Sequence, residues 1–370
     1  MMSVFNEVKK NFGFGCMRFP MKGDEVDHEQ LCEMVDKFLE AGFNYFDTAH
    51  GYLSEKSEPA VREALVKRYP RESFLLTDKL SSPYFKTNEE IRPLFEAQLN
   101  ACGVEYFDFY LMHSQNRNSF KKFKECKAYE TAFELKKEGK IRHVGLSFHD
   151  TADVLDQILT EYPEIECVQI QFNYIDYDDN GVQGKLCYDV CRKHNKPIII
   201  MEPVKGGALA ILPDEAKEIL SPFGGSDASF AIRYAASFEG VFMVLSGMSD
   251  NAQAEDNISF MKDFKPLTDE EFSAIDKVRE ILKGMDIIQC TGCSYCTDGC
   301  PSRIPIPSIF KIVNNSRRYK NFGAKWWYDF TVGGKRGKAS DCISCGQCED
   351  ICPQKLQIIE LLKQAASELE

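Results

Sequence analysis

No stretch of about 18 consecutive apolar residues occurs in the 370-residue chain, so a membrane-spanning helix is not expected. The start, MMSVFNEVKK, lacks the apolar core of a secretory signal, and a soluble, cytoplasmic protein is the expectation. Basic residues are the minority: 45 Lys and Arg stand against 57 Asp and Glu, a net charge of −12, with no Lys/Arg-rich run. That balance argues against a nucleic-acid partner and favours solubility. No GxGxxG follows an early apolar run, which counts against an open dinucleotide-binding sheet. With 44% hydrophobic and 28% charged residues, the chain is neither disordered nor collagen-like.

Cysteine, by contrast, is abundant. Fifteen in a large chain without a signal, an odd number, point to metal or redox chemistry rather than disulfides. Cys16, Cys32, Cys102, Cys126, Cys167, Cys187 and Cys191 are scattered, whereas the other eight fall between Cys290 and Cys352. Of the scattered ones, Cys102, Cys167, Cys187 and Cys191 sit in apolar periodic stretches and read as small buried hydrophobes. The change in composition near residue 285 divides the chain into 1–284 and 285–370.

Short apolar runs recur in the first part: Gly13–Gly15, then 42–47, 74–77, 107–112, 143–147, 167–171, 197–201 and 241–245. Between them lie stretches of helical periodicity, including 28–41, 89–102, 127–139 and 153–162. Eight near-continuous apolar strands alternating with helices predict a parallel sheet closed into a (β/α)8 TIM barrel. A closing helix is expected over 268–282, capped by Thr268 with Glu271 completing a capping box. Helices are also expected over 307–319 and 356–370, so the smaller domain is mainly helical.

The late cysteines form two copies of C-x2-C-x2-C-x3-C-P: Cys290, Cys293, Cys296 and Cys300 before Pro301, and Cys342, Cys345, Cys348 and Cys352 before Pro353. In this bacterial ferredoxin arrangement three close cysteines hold one cubane and the fourth ligates the other. The expected sets are Cys290, Cys293, Cys296 and Cys352 for one [4Fe–4S] cluster, and Cys342, Cys345, Cys348 and Cys300 for the second. Paired structural zinc sites are the alternative. Four cysteines per copy, each run closed by proline, favour clusters. With 41 residues, 301–341, between the runs, the segment resembles the helical type of two-cluster ferredoxin domain.

Four polar residues stand at or just past the carboxyl ends of successive predicted strands: Asp47, Tyr52, Lys79 and His113, in FDTAHGY, LLTDKL and LMHS. Barrel active sites are assembled at that face. Together these residues resemble the tetrad of the aldo/keto reductase superfamily, in the branch carrying a C-terminal ferredoxin-like domain. The resemblance implies an oxidoreductase that reduces an aldehyde, ketone or related unsaturated group. Charge developing on the carbonyl oxygen needs a proton donor and positioned hydrogen bonds. Tyr52 would be the donor, Lys79 would lower its pKa, Asp47 would hold Lys79, and His113 would bond the substrate oxygen.

For a nicotinamide cofactor the resemblance implies Ser147 and Gln169 at the carboxamide, and Gly15, Cys16 and Met17 near the ribose. It implies Gly206, Gly207, Ser246, Gly247 and Met248 along the phosphates and Asn257 at adenine. Met201 stands where the family stacks an aromatic on nicotinamide. Gln253 occupies the place of an Arg that clamps the 2′-phosphate, with no basic residue nearby in sequence, so NADH is as well suited as NADPH. Clusters move single electrons whereas nicotinamide moves a hydride, and a flavin able to do both is the second cofactor considered. A competing reading makes the protein an electron carrier for a redox partner protein, and a third makes the clusters structural. Trp326 and Trp327 are read as packing or partner-surface residues. His28, His50, His143, His149 and His194 are expected at the surface or in caps.

Overall fold

A computed structural model describes residues 5–318 and 324–370, so Tyr319, the end of the predicted helix 307–319, lies outside the described residues. The chain divides into two compact units: residues up to Val204 with Leu220–Ile275, and Lys205–Ile219 with Asp276–Glu370.

In the first unit the strands are β1 (Phe12–Gly15), the two-residue strands β2 (Met21–Lys22) and β3 (Glu25–Val26), then β4 (Tyr45–Asp47), β5 (Leu75–Leu80), β6 (Phe107–Gln115), β7 (Ile141–Phe148), β8 (Cys167–Gln171), β9 (Ile198–Met201) and β10 (Val241–Gly247). Strands β1 and β4–β10 close a parallel barrel in the order β1-β10-β9-β8-β7-β6-β5-β4, and β2 pairs only with β3. Each predicted strand is present because an apolar run buried on both faces suits a parallel sheet covered by helices. The β2/β3 pair escaped sequence reading, as two residues carry no period. Helices His28–Glu40, Ile91–Cys102, Ala128–Lys137 and Ala152–Glu161 occupy the predicted stretches. The capping box also forms, with Glu271 N donating to Thr268 Oγ1 at 3.2 Å and Thr268 N to Glu271 Oε2 at 2.8 Å.

Inside the barrel, large side chains need small ones opposite them. A β-carbon at Gly145 would lie 2.4 Å from Leu111 Cδ2 and 2.7 Å from Cys167 Sγ, so only glycine fits. Cys102, Cys167, Cys187 and Cys191 are all buried, as small hydrophobes should be. Two histidines depart from expectation: His50, 19% exposed, pairs with the buried Glu58 at 3.0 Å, and His143 departs further. His143, on β7, is neither at the surface nor in a cap: its ring lies 4.9 Å from Phe109 and 4.6 Å from Phe5. It bridges Glu166 at 2.9 Å and Glu7 at 2.6 Å. Burial opposes its charge, but the two carboxylates win and raise its pKa above 6.5. The imidazolium contribution to stability is therefore complete below the unfolded-state pKa and fades as pH rises through the folded-state value. His143→Gln is expected to cost about 1–2 kcal/mol near pH 6 and clearly less near pH 9 in denaturant unfolding. An equal loss at both values would reject the charged bridge.

The second unit is helical around its cysteine loops, with helices Ile306–Arg318, Ala324–Thr331, Gln347–Ile351 and Ile358–Leu369. Ile309, Phe310 and Val313 pack with Tyr328, Ile358 and Leu362 in its core. Tyr328 is wholly buried, with its hydroxyl accepting from Ala339 N at 2.7 Å. On the same helix Trp326 and Trp327 stand 63% and 43% exposed.

Candidate active site and iron–sulfur ligands

Parallel pairing brings the carboxyl ends of β4, β5 and β6 side by side. Asp47 ends β4, while β5 and β6 run on to include Lys79 and His113 rather than stopping before them. Register pairs Asp47 with Thr77 and Lys79 with Leu111. Lys79 is 0% exposed, and a buried ammonium must have its donors satisfied. It donates to Asp47 Oδ1 at 2.6 Å, to the Thr48 carbonyl at 2.7 Å and to the Tyr52 hydroxyl at 3.2 Å. All three ammonium protons are thereby used.

The loop carrying Tyr52 is pinned at its far end. Ser57 Oγ donates to the Cys16 carbonyl at 2.9 Å and lies 2.8 Å from Thr48 Oγ1. Between these points Leu53, Ser54 and Glu55 all have left-handed φ, of 54°, 55° and 68°. Such residues cost roughly 1 kcal/mol or more each and persist only where the surroundings impose them.

Burial raises the Tyr52 pKa well above the ordinary phenol value, and the Asp47 carboxylate adds to it. The expected lowering of the phenol by Lys79 is not seen: burial dominates, and Tyr52 keeps its proton at neutral pH. Burial also raises the Asp47 pKa, against the opposing pull of Lys79. His113 is driven well below the usual imidazole range by burial and then by Lys79, so it is neutral. Its ring stands edge-on to Tyr52 at 5.9 Å. Its Nδ1 is 2.6 Å from Ser81 Oγ, a partner that sequence reading missed, although Ser81 lies only two residues beyond Lys79.

Around this group, Ser147 and Gln169 are brought side by side by the β7–β8 register. The buried Ser147 hydroxyl has no hydrogen-bond partner among the described residues. Gln169 Nε2 donates to Asp47 Oδ2 at 3.2 Å, so it supports the carboxylate. Met201 ends β9, half-buried. Gly15 pairs with Gly247, and a β-carbon at Gly15 would lie 3.2 Å from Gly247 N. Cys16 is buried beside them; Met248 is also buried and presents no exposed side chain. Asn257 Nδ2 donates to Ser246 Oγ at 3.0 Å. The side chain of Arg18, just after Met17, covers Gly247 at 3.2 Å from where a β-carbon would stand. Gly206 and Gly207, expected near the phosphates, belong to the second unit.

In that unit the late cysteines gather in two groups. One hollow is lined by Cys290, Cys293, Cys296 and Cys352, and a second by Cys300, Cys342, Cys345 and Cys348. The fourth cysteine of each run thus lines the hollow of the other run. Gly292 N points to Cys290 Sγ at 3.4 Å and Ile304 N to Cys300 Sγ at 3.5 Å, the kind of amide–sulfur contact that surrounds iron–sulfur clusters. Burial, then Cys342, pushes the Cys348 thiol up to about 11, so metal loading must release its proton. Two hollows of four sulfurs each fit two cubanes.

The fold and this arrangement define an oxidoreductase barrel joined to a 4Fe-4S domain. Residues 11–280 match the aldo/keto reductase family model and residues 289–357 that of the 4Fe-4S dicluster domain. The chain belongs to the aldo/keto reductase family. It is 29% identical over 201 residues to the NADH-specific methylglyoxal reductase of Escherichia coli (strain K12), a match spanning 49% of this chain and 58% of that protein. It is 28% identical over 271 residues to the 9,11-endoperoxide prostaglandin H2 reductase of Trypanosoma cruzi, covering 71% of this chain and 89% of that one. Among solved structures, an aldo-keto reductase from Klebsiella pneumoniae in complex with NADPH superposes with a TM-score of 0.61 at 19% identity, over 74% of this chain and 95% of that one. Among the described residues, no helix is long and apolar enough to cross a membrane.

Proposed function

We propose that the barrel reduces the carbonyl group of a small aldehyde or ketone with a nicotinamide cofactor, and that two [4Fe–4S] clusters in the C-terminal unit exchange electrons with a redox partner protein. The observation that carries the reading is the line Asp47–Lys79–Tyr52, hydrogen-bonded at 2.6 and 3.2 Å, beside a neutral His113. A bound reduced nicotinamide supplies the hydride. The chain's own residues then handle the oxygen. Tyr52, kept protonated by burial, donates the proton that completes the alcohol. His113, neutral and held by Ser81 Oγ at 2.6 Å from its Nδ1, steadies the developing charge on oxygen through its other ring nitrogen. Lys79 draws the phenol proton's departure toward an ion pair already in place, and Gln169 together with Asp47 holds that lysine.

The unpartnered Ser147 hydroxyl is a ready hydrogen-bond site for a carboxamide. Both NADH and NADPH are kept as cofactors for this site.

The test uses the full chain purified without oxygen, with NADH or NADPH oxidation followed in the presence of methylglyoxal and a panel of aldehydes and ketones. Carbonyl-dependent oxidation of either nucleotide, without added flavin, is expected. A flavin in the visible spectrum, with no carbonyl-dependent oxidation, would overturn the reading in favour of the electron carrier.

A further inference from the structure

The segment after β9 does something that no barrel reductase requires. Lys205–Ile219 groups with the C-terminal unit rather than with the strands that flank it in sequence. It begins with three consecutive left-handed residues: Lys205 at φ 47°, Gly206 at 63° and Gly207 at 95°. The tight turn presses the backbone onto the first cysteine loop. A β-carbon at Gly206 would lie 2.2 Å from the Thr291 carbonyl oxygen and 2.6 Å from Thr291 Cα. Thr291 stands between Cys290 and Cys293 in sequence and is 4% exposed. The Lys205 side chain is 3% exposed and donates from Nζ to Gln354 Oε1 at 3.0 Å. Gln354 follows Cys352 and Pro353. Both Thr291 and Gln354 line the hollow formed by Cys290, Cys293, Cys296 and Cys352. Two adjacent residues therefore touch both stretches of chain that supply this set of cysteines.

We propose that Lys205 sets the reduction potential of the cluster held by Cys290, Cys293, Cys296 and Cys352, and that Gly206 lets it approach. This rests on the reading of those cysteines as cluster ligands. A cubane with four thiolates is anionic and gains a further negative charge on reduction, and its potential follows local charge, hydrogen bonding and exposure. A buried ammonium favours the more negative, reduced state, and does so more strongly where water is excluded. Lys205 reaches the first hollow through Gln354, which lines it, whereas Gln354 is not in the lining of the second, formed by Cys300, Cys342, Cys345 and Cys348. The pair of clusters is thus made electrostatically unequal, with the first favoured as the resting place of the electron.

The test is a redox titration of the full-length holoprotein followed by electron paramagnetic resonance, with iron and sulfide measured on each sample. Lys205→Gln keeps a polar side chain and removes the charge. The first cluster's midpoint is expected to move to lower potential while the second stays in place and iron content is unchanged. Lys205→Arg should restore the midpoint. Gly206→Ala should lose the first cluster's signal and keep the second. An unmoved first midpoint in Lys205→Gln with full iron overturns the proposal, as does loss of the first cluster in Lys205→Gln and Lys205→Arg alike, which would mark packing alone. If the unaltered chain holds no iron and sulfide, the reading of the cysteines fails first, and the proposal with it. Full clusters with unshifted potentials leave that reading standing and remove only the role of Lys205.

Discussion

Replacing Tyr52 with phenylalanine is expected to lower turnover of a carbonyl substrate by roughly two to four orders of magnitude, the usual worth of a positioned acid. The substitution deletes only the hydroxyl that Lys79 reaches at 3.2 Å, so the barrel and the iron content should survive. The phenol is well placed to lose its proton only during the reaction, because burial and the Asp47 carboxylate raise its pKa well above the ordinary value. Lys79→Met should act on the same step. It removes the cation that offsets the charge left on the phenolate, and it also leaves the buried Asp47 without its partner at 2.6 Å, so some loss of stability is expected alongside the loss of rate. Because the two residues work as a unit, the double substitution should cost far less than the product of the single effects. Single-turnover rates at saturating nucleotide provide the measurement. Near-normal turnover by Tyr52→Phe would take this hydroxyl out of the reaction and with it the proton route proposed above.

The second large effect concerns the crossing of the two cysteine runs. Cys352→Ala is expected to remove about half of the iron and sulfide, leaving one four-iron cluster, and the lost cluster should be the one bound by Cys290, Cys293 and Cys296. The reason is geometric: Cys352 lines their hollow, whereas Cys342, Cys345 and Cys348 share theirs with Cys300. Cys300→Ala should produce the opposite pattern. Cys352 is also packed in the core of its unit, so chemical denaturation should show a modest loss of stability beyond the missing metal. If Cys352→Ala instead empties the site of Cys342, Cys345 and Cys348, each run ligates its own cluster. Stoichiometric zinc without sulfide in the unaltered protein would favour the structural alternative.

Much of this protein was legible before folding was considered. The eight barrel strands follow from short apolar runs, because a strand buried on both faces writes its burial directly into consecutive residues. The Thr268–Glu271 box is local, spanning one helical turn, and so is readable from spacing alone. Asp47, Lys79 and His113 could be singled out because strand ends in a barrel converge on one face whatever the side chains between them. Spacing also suggested how the eight late cysteines group.

Tertiary structure decided the rest, and in each case the cause is a contact between residues distant in sequence. The balance that keeps Tyr52 protonated depends on how much water the pocket excludes, which no local pattern encodes. Ser81 reaches His113, and Gln169 reaches Asp47, only through strand pairing and barrel closure. Arg18 comes to Gly247 because β1 pairs with β10 at the closure of the barrel. His143 was expected at the surface or in a cap, and only the fold brings Glu7 and Glu166 to it. The VKGG turn gave no sign that it belongs with the cysteine loops, since its departure from the barrel is fixed by left-handed backbone and by the fit of Gly206 against Thr291. Sequence specified which elements form and which chemistry is available, through periodicity and residue type. The fold alone set the partners of each polar group, because hydrogen bonds, desolvation and charge act over ångströms in space rather than along the chain.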